Sequence, residues 1–175
     1  YPTAVTTTAP GAQSDAGMLC QILYPDGTTT QLYYDTTGQL ARVVDPGNEV
    51  TDFGYTLSSS SGTYLLSTIR NSLTNDWLAA DSSRNAAGPV TTDIRYDGTD
   101  RATSVTLPAP DGVTSASRPQ KTYGYGAPDT NGNRTSTVDV AGITVPNGHA
   151  STVTMDAALR QTSAASASGL TSTAV

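Results

Sequence analysis

The chain's only histidine, His149, is the first place to look for acid–base or nucleophilic chemistry. It lies in PNGHAS, a stretch with the composition of a surface loop. A Ser-His-Asp triad on an α/β scaffold would need its serine on a sharp Gly-x-Ser-x-Gly elbow, and the chain has none. Zinc needs several His or Cys ligands, and His149 and Cys20 are one of each. In DTNGNRTSTVD, Asp129, Asn131 and Asn133 alternate as they do at the start of a calcium loop. Arg134 stands where that loop needs glycine, and Val140 where it needs the bidentate glutamate, so the stretch is expected to be a polar Asn-Gly hairpin turn. Glu49 is the only glutamate, and many of the aspartates sit in turn contexts such as PDG, DPG and YDG. That distribution puts turn chemistry ahead of paired-carboxylate hydrolysis. No glycine-rich phosphate loop occurs. The expectation is a protein without catalytic residues, cofactor or metal.

The overall charge narrows the partners. Fifteen acidic residues against nine basic ones give a net charge of -6, and the basic residues are scattered singly. No basic stripe is present to meet nucleic acid or an anionic membrane. No run reaches the length of about eighteen apolar residues that a membrane-spanning helix requires. The single Cys20 cannot form an internal disulfide and is expected to act as a small hydrophobe. The opening YPTAVTTTAP has neither a basic start nor an apolar block, the first residue is not Met, and the far end stops within a repeat phrase. The chain is therefore expected to be an internal piece of a longer protein.

The elements that would position any site are β-strands. Residues 1–17, rich in Thr, Ala, Pro and Gly, are expected to form an extended lead-in, and residues 18–175 one β-sheet segment with no internal boundary. MLCQILY is a short apolar strand ending in the Tyr24-Pro25-Asp26-Gly27 turn. Strands follow at 28–35, with Leu32 and Tyr34 on one face and Tyr33 on the other, then at 40–44 and 50–57. The region 64–80 is expected to hold a strand at 64–70 and the one short helix, at 74–80, with Thr74 as N-cap and Asp76 in its first turn. Further strands are expected at 90–96, 102–107, 121–125, 135–140 and 151–155. The prolines of PAPDGVTSASRPQ mark a loop. This is an all-β pattern of repeated antiparallel hairpins.

The hairpins share a phrase. Asp35, Asp97 and Asp156 each have an apolar residue eight positions on, namely Val43, Val105 and Ala164. Four positions on stand Gln39, Arg101 and Arg160, and Gly47, Gly112 and Gly169 follow at twelve to fifteen. The first two aspartates are preceded by Tyr34 and Tyr96, the third by Met155; Gly38 follows Asp35 in its turn. Self-similarity of this kind marks a repeat architecture.

The units YYDTTGQLARVVDPG, IRYDGTDRATSVTLP and TMDAALRQTSAASASGLTST resemble the Tyr-Asp repeats of the Rhs family, which is similar to the teneurin shell and to the cocoon subunits of toxin complexes. The resemblance covers roughly residues 20–175 and is patchy between 56 and 90. It implies a β-sheet spiralling into a hollow shell that encloses a toxin or other cargo at the cell surface or after secretion. Its partners would be the remaining repeats of the same polypeptide and the enclosed cargo. It also implies that Tyr34, Asp35, Gly38, Gly47, Tyr96, Asp97, Arg101, Gly112, Asp156, Arg160 and Gly169 are structural residues. The aspartates would satisfy turn amides, and Arg101 and Arg160 would cross the turn to a carboxylate. A second reading is a cell-surface adhesin or carbohydrate-binding module. There Tyr33, Tyr34, Tyr55, Tyr123 and Tyr125 would line a sugar-binding face rather than pack across strands.

Overall fold

Alternating β-branched and aromatic residues, broken every few positions by Gly, Asp and Pro, fold into one antiparallel sheet. The computed structural model describes residues 18–86, 88–113, 118–141, 150–166 and 171–173, with the backbone alone at 140, 141 and 171. The strands are β1 (Gln21–Leu23), β2 (Thr29–Tyr34), β3 (Leu40–Asp45), β4 (Glu49–Leu57), β5 (Tyr64–Arg70) and β6 (Thr92–Tyr96). They continue as β7 (Ala102–Thr106), β8 (Gln120–Tyr125), β9 (Arg134–Ala141), β10 (Ser151–Met155), β11 (Gln161–Ala165) and β12 (Thr171–Thr173). Their order in the sheet is their order in the chain, so each strand pairs only with its sequence neighbours.

The two ends of the sheet differ. At one end the connections β2–β3, β6–β7 and β10–β11 are tight turns of similar geometry. At the other, β3–β4 is a short turn, β5–β6 carries the helix α1 (Ser72–Ala79), and β7–β8 is a long loop.

The pairing register separates two faces. Leu32 lies opposite Val43, Phe53 opposite Ile69, and Ile94 opposite Val105. Tyr123 opposite Val138 and Val153 opposite Ala164 continue this apolar row. The reverse face carries Arg42, Asp52, Arg70, Asp93 and Thr106 in paired positions. Helix α1 lies over that polar face, where the Asn75 side-chain amide donates to the Val50 carbonyl at 2.8 Å and to Asp52 Oδ2 at 3.2 Å. Buried positions fall both within the strands, as at Thr30, Ala41, Arg70 and Ser104, and in the loops that flank the helix. Val90 is 1% exposed and Ala109 6%, and the Ala109 N–H donates to the Pro89 carbonyl. The rest of the sheet is a single layer, and most of its side chains are only half-buried.

Several expectations shift by a few residues. The helix spans 72–79 rather than 74–80, and its cap is Asn71 rather than Thr74. Asn71 is extended, and its side-chain oxygen accepts the Thr74 N–H at 3.0 Å. Thr74 thus supplies the orphan donor of the first turn instead of capping it. Asp76 falls beyond the first turn, so the helix dipole gives it no special role there. Val90 precedes its strand and is buried beneath the loops instead. Strands β11 and β12 were not expected, because QTSAA and TST have little β-former character beyond threonine; pairing with β10 organises β11. The lead-in 1–17 lies outside the described residues. Replacing the cap by Asn71→Ala is expected to lower stability by about 1 kcal/mol, read from the urea unfolding midpoint.

Candidate functional site

The chemistry-bearing residues gather at the tight-turn end. In each turn one carboxylate captures the amides of its own loop. Asp35 Oδ1 accepts the Thr37 N–H at 2.8 Å, the Thr37 hydroxyl at 2.7 Å and the Gln39 N–H at 2.9 Å. Asp97 Oδ1 likewise accepts from the Thr99 N–H, the Thr99 hydroxyl and the Arg101 N–H. Asp156 Oδ1 accepts from the Ala158 and Arg160 amides, each at 2.9 Å. The backbone repeats too: Asp35, Asp97 and Asp156 each donate their N–H to the carbonyl four residues on. The residue before that carbonyl is left-handed in every case, as Gly38 (φ 80°), Asp100 (φ 63°) and Leu159 (φ 62°). This is a type I turn closed by a left-handed residue, with the carboxylate holding its amides.

The arginines complete two of the turns. Arg101 Nε donates to Asp97 Oδ2 at 2.9 Å, and Arg160 Nε to Asp156 Oδ2 at 2.8 Å. The Asp97 carboxyl is held far below the usual carboxylate range, first by the Thr99 hydroxyl and then by the Arg101 and Thr99 amides. Asp156 is lowered first by the Arg160 amide and then by its guanidinium. For Asp35 partial burial pushes upward, but the Thr37 hydroxyl and the Gln39 and Thr37 amides prevail and the carboxyl is lowered.

A fourth turn has the same geometry. Asp129 Oδ1 accepts the Asn131 and Asn133 amides, each at 2.8 Å, and Asn133 Nδ2 reaches Oδ2 at 2.8 Å. Gly132 is left-handed at φ 80°. The stretch is therefore a polar turn, as expected, built on the repeat geometry with Asn133 in the arginine's place, and the carboxylate is occupied by donors. A fifth turn uses serine: Ser58 Oγ accepts the Ser60 and Ser61 amides, each at 3.1 Å. Ser58 Oγ also donates to Asp100 Oδ1 at 2.5 Å, which ties this turn to the Asp97 turn.

Beside the turns stands a series of tyrosine ties. Tyr34 donates its hydroxyl to the Leu19 carbonyl at 2.8 Å, and Tyr55 to Leu40 at 3.0 Å. Tyr96 donates to Leu66 at 2.7 Å and Tyr125 to Ala102 at 2.9 Å. Tyr34, Tyr96 and Tyr125 end β2, β6 and β8, and Tyr55 stands two residues before the end of β4; each lies on the apolar face and reaches back to the preceding strand or, for Tyr34, to Leu19 just before β1. The accepting carbonyl is always one residue beyond the one the register places opposite the tyrosine. In three of these four hairpins the register slips at the tyrosine, leaving Ala41, Ser67 and Thr103 as extra residues. At β10 the position is Met155, with the same slip and no hydroxyl to donate.

The trailing glycines do not share one environment. Gly47 (φ 88°) turns β3 into β4, whereas Gly112 (φ 69°) lies in the long β7–β8 loop against Trp77. A Cβ at Gly112 would come within 2.6 Å of the indole. Gly169 and His149 lie outside the described residues. Cys20 is half-buried. Among the described residues no group of three or more His, Cys, Asp or Glu side chains is placed to hold a metal.

The polar face has its own network. Asp52 takes Arg42 Nε at 2.6 Å on one oxygen and Arg70 at 2.9 Å on the other, and Asp93 pairs with Arg118 at 2.6 Å. Burial lowers the Arg70 guanidinium from its ordinary pKa. An open cleft of about 570 Å³ runs beside this network, with Tyr55, Tyr64, Thr68, Asp52 and Arg70 in its walls.

No family model matches the chain, and no curated protein matches it.

Two outcomes follow from this geometry. Carboxylates whose folded pKa is lowered contribute stability above their ordinary value of 3.8 and lose it as pH falls through the folded value. Asp97→Asn is therefore expected to destabilise the protein near neutral pH, and its difference from the wild type should shrink toward about pH 2. Urea unfolding at the two pH values reads this, and a difference independent of pH would contradict it. Met155→Tyr places a hydroxyl where the register offers the Thr135 carbonyl. It is expected to raise stability by about 1 kcal/mol, measured by denaturant titration.

Proposed function

We propose that the chain is a structural segment of a large secreted or surface-displayed Rhs-type Tyr-Asp repeat protein, one stretch of a β-shell that encloses a toxin or other cargo. The observation that carries this proposal is the repeated turn and tyrosine tie along a twelve-stranded meander whose two outer strands, β1 and β12, have no strand beyond them among the described residues. Each hairpin buries little of its own apolar face, so stability comes from stacking on neighbours, as in solenoids. The turn aspartates, tyrosines and arginines are structural in this proposal, and the chain is not an enzyme. Its partners are the remaining repeats and the enclosed cargo rather than nucleic acid or a lipid bilayer.

A second reading has one observation in its favour. The cleft beside Tyr55 and Tyr64 combines aromatic rings with the Asp52–Arg70 pair and the Thr68 hydroxyl. Sugars use such surfaces, with rings against C–H faces and charged groups on hydroxyls. A surface carbohydrate-binding module is the alternative this cleft supports.

Sedimentation of the isolated 175-residue chain, together with the intact mass of the native species that contains it, separates the two. The shell proposal expects self-association through the outer edges of the sheet and a native mass far above that of these residues alone. A stable monomer whose native mass equals the 175 residues overturns it, and glycan binding by that monomer would establish the module.

A further inference from the structure

Arg101 does more than clamp its own aspartate. The guanidinium of Arg101 lies over the ring of Tyr125, 4.6 Å from its centroid. The β7–β8 register places Tyr125 opposite Arg101, and the tyrosine hydroxyl closes the arrangement on the Ala102 carbonyl. One turn thus holds the tyrosine of the next hairpin from two directions: a cation over the ring and a carbonyl at the hydroxyl. The first unit has the same register, with Tyr55 opposite Gln39 and bonded to the Leu40 carbonyl.

The Asp156 unit reproduces the receiving half of this arrangement. Arg160 binds Asp156 through Nε at 2.8 Å and through its terminal nitrogen at 2.7 Å, as Arg101 binds Asp97 at 2.9 and 2.8 Å. The register slip is present at Thr154/Met155, as it is at Arg95/Tyr96. The difference is exposure: the Arg160 side chain is 80% exposed and that of Arg101 42%. The β11–β12 register pairs Ser163 with Thr173; a strand that kept this register would bring the third residue beyond that pair opposite Arg160.

We infer that the Asp156–Arg160 clamp and the Gln161 carbonyl form a seat for a tyrosine side chain, presented by the strand that continues the line of β12. The ring lies under the guanidinium and the hydroxyl donates to Gln161. The register and the clamp specify the seat; that a following repeat supplies the tyrosine rests on the shell proposal. The partner chemistry is a phenol on an extended strand. An aliphatic side chain would satisfy neither contact, and a phenylalanine only the stack.

The test extends the full chain by Tyr-Ala-Gly, Phe-Ala-Gly or Ala-Ala-Gly, each with and without Arg160→Ala. The tyrosine extension is expected to raise the thermal midpoint by about 2–4 °C over the alanine one, with phenylalanine between them. Arg160→Ala should remove most of the tyrosine advantage. Because the thermal effect is small, the side-chain protons of Arg160 provide a direct readout by NMR. A ring seated on the guanidinium shifts them upfield in the tyrosine and phenylalanine extensions and not in the alanine one. Unshifted Arg160 protons with equal midpoints overturn the inference, as does a tyrosine advantage that survives Arg160→Ala. The mass of the native species bears on the shell proposal alone, so the two can fail separately.

Discussion

The carboxylate that captures the amides of its own turn is the interaction on which the rest of the sheet depends. A single-layer sheet has no second layer to fix which residue pairs with which, and a slip of one residue would exchange its faces. Here the register is fixed locally. Asp35, Asp97, Asp129 and Asp156 each hold a turn of fixed length, and the left-handed residue closing it sets where the next strand begins. From that start, Leu32 meets Val43, Ile94 meets Val105 and Val153 meets Ala164 by counting alone. The Asp156 turn bears a cost: Leu159 adopts a conformation that disfavours a branched L side chain, and the Asp156 and Arg160 bonds offset the strain.

The tyrosine ties act across the hairpins that the turns do not reach. Asp97 joins β6 to β7, while Tyr96 joins β6 back to β5 and Tyr125 joins β8 back to β7. Turn and tie alternate from β1 to β9, so neighbouring strands over that stretch are linked at this end by one or the other, and the series breaks between β9 and β10, where Met155 has no hydroxyl. The polar face adds a third connection, because Asp52 spans Arg42 on β3 and Arg70 on β5. Half-buried ion pairs of this kind contribute little net stability after desolvation, but they penalise a shifted register that would leave a charge unpaired. Helix α1 reinforces the penalty by placing Asn75 against the same carboxylate.

What was legible in the sequence was the part encoded by short, repeated spacing. The Asp35, Asp97 and Asp156 turns could be read because the acceptor, the left-handed position and the +8 apolar residue lie within one phrase. The Asp129 turn could not be read as a repeat, because no tyrosine directly precedes it and three residues separate Tyr125 from the aspartate. Its alternating Asp and Asn looked like cation ligands, yet the same spacing serves backbone amides. Ser58 was missed because a serine hydroxyl stands in for the carboxylate and its loop is one residue longer. Strand β11 was missed because QTSAA has weak strand propensity, and its pairing comes from β10. The tyrosine ties lay beyond local pattern altogether, since their acceptors stand 15 to 30 residues away and depend on the register.

The asymmetry between the two ends of the sheet follows from where the fixed chemistry is placed. At the tight end the four aspartate turns keep their acceptor, their left-handed residue and their length, and the Ser58 turn, one residue longer, keeps a side-chain oxygen as acceptor and a left-handed glycine, because a changed turn would move all the pairs beyond it. At the far end the strands are already in register when they leave the sheet, and the connection can vary without disturbing them. The chain uses that freedom. It places an α-helix between β5 and β6 and a proline-containing loop between β7 and β8, and packs the two together through Trp77 on Gly112. The most buried apolar side chain of the variable end, Val90, belongs to this insertion and not to a repeat. The connections are free to differ where the register does not depend on them, and the cleft spans the division, from Ala86 and Gly88 on the variable side to Asp35 and Thr37 of a tight turn.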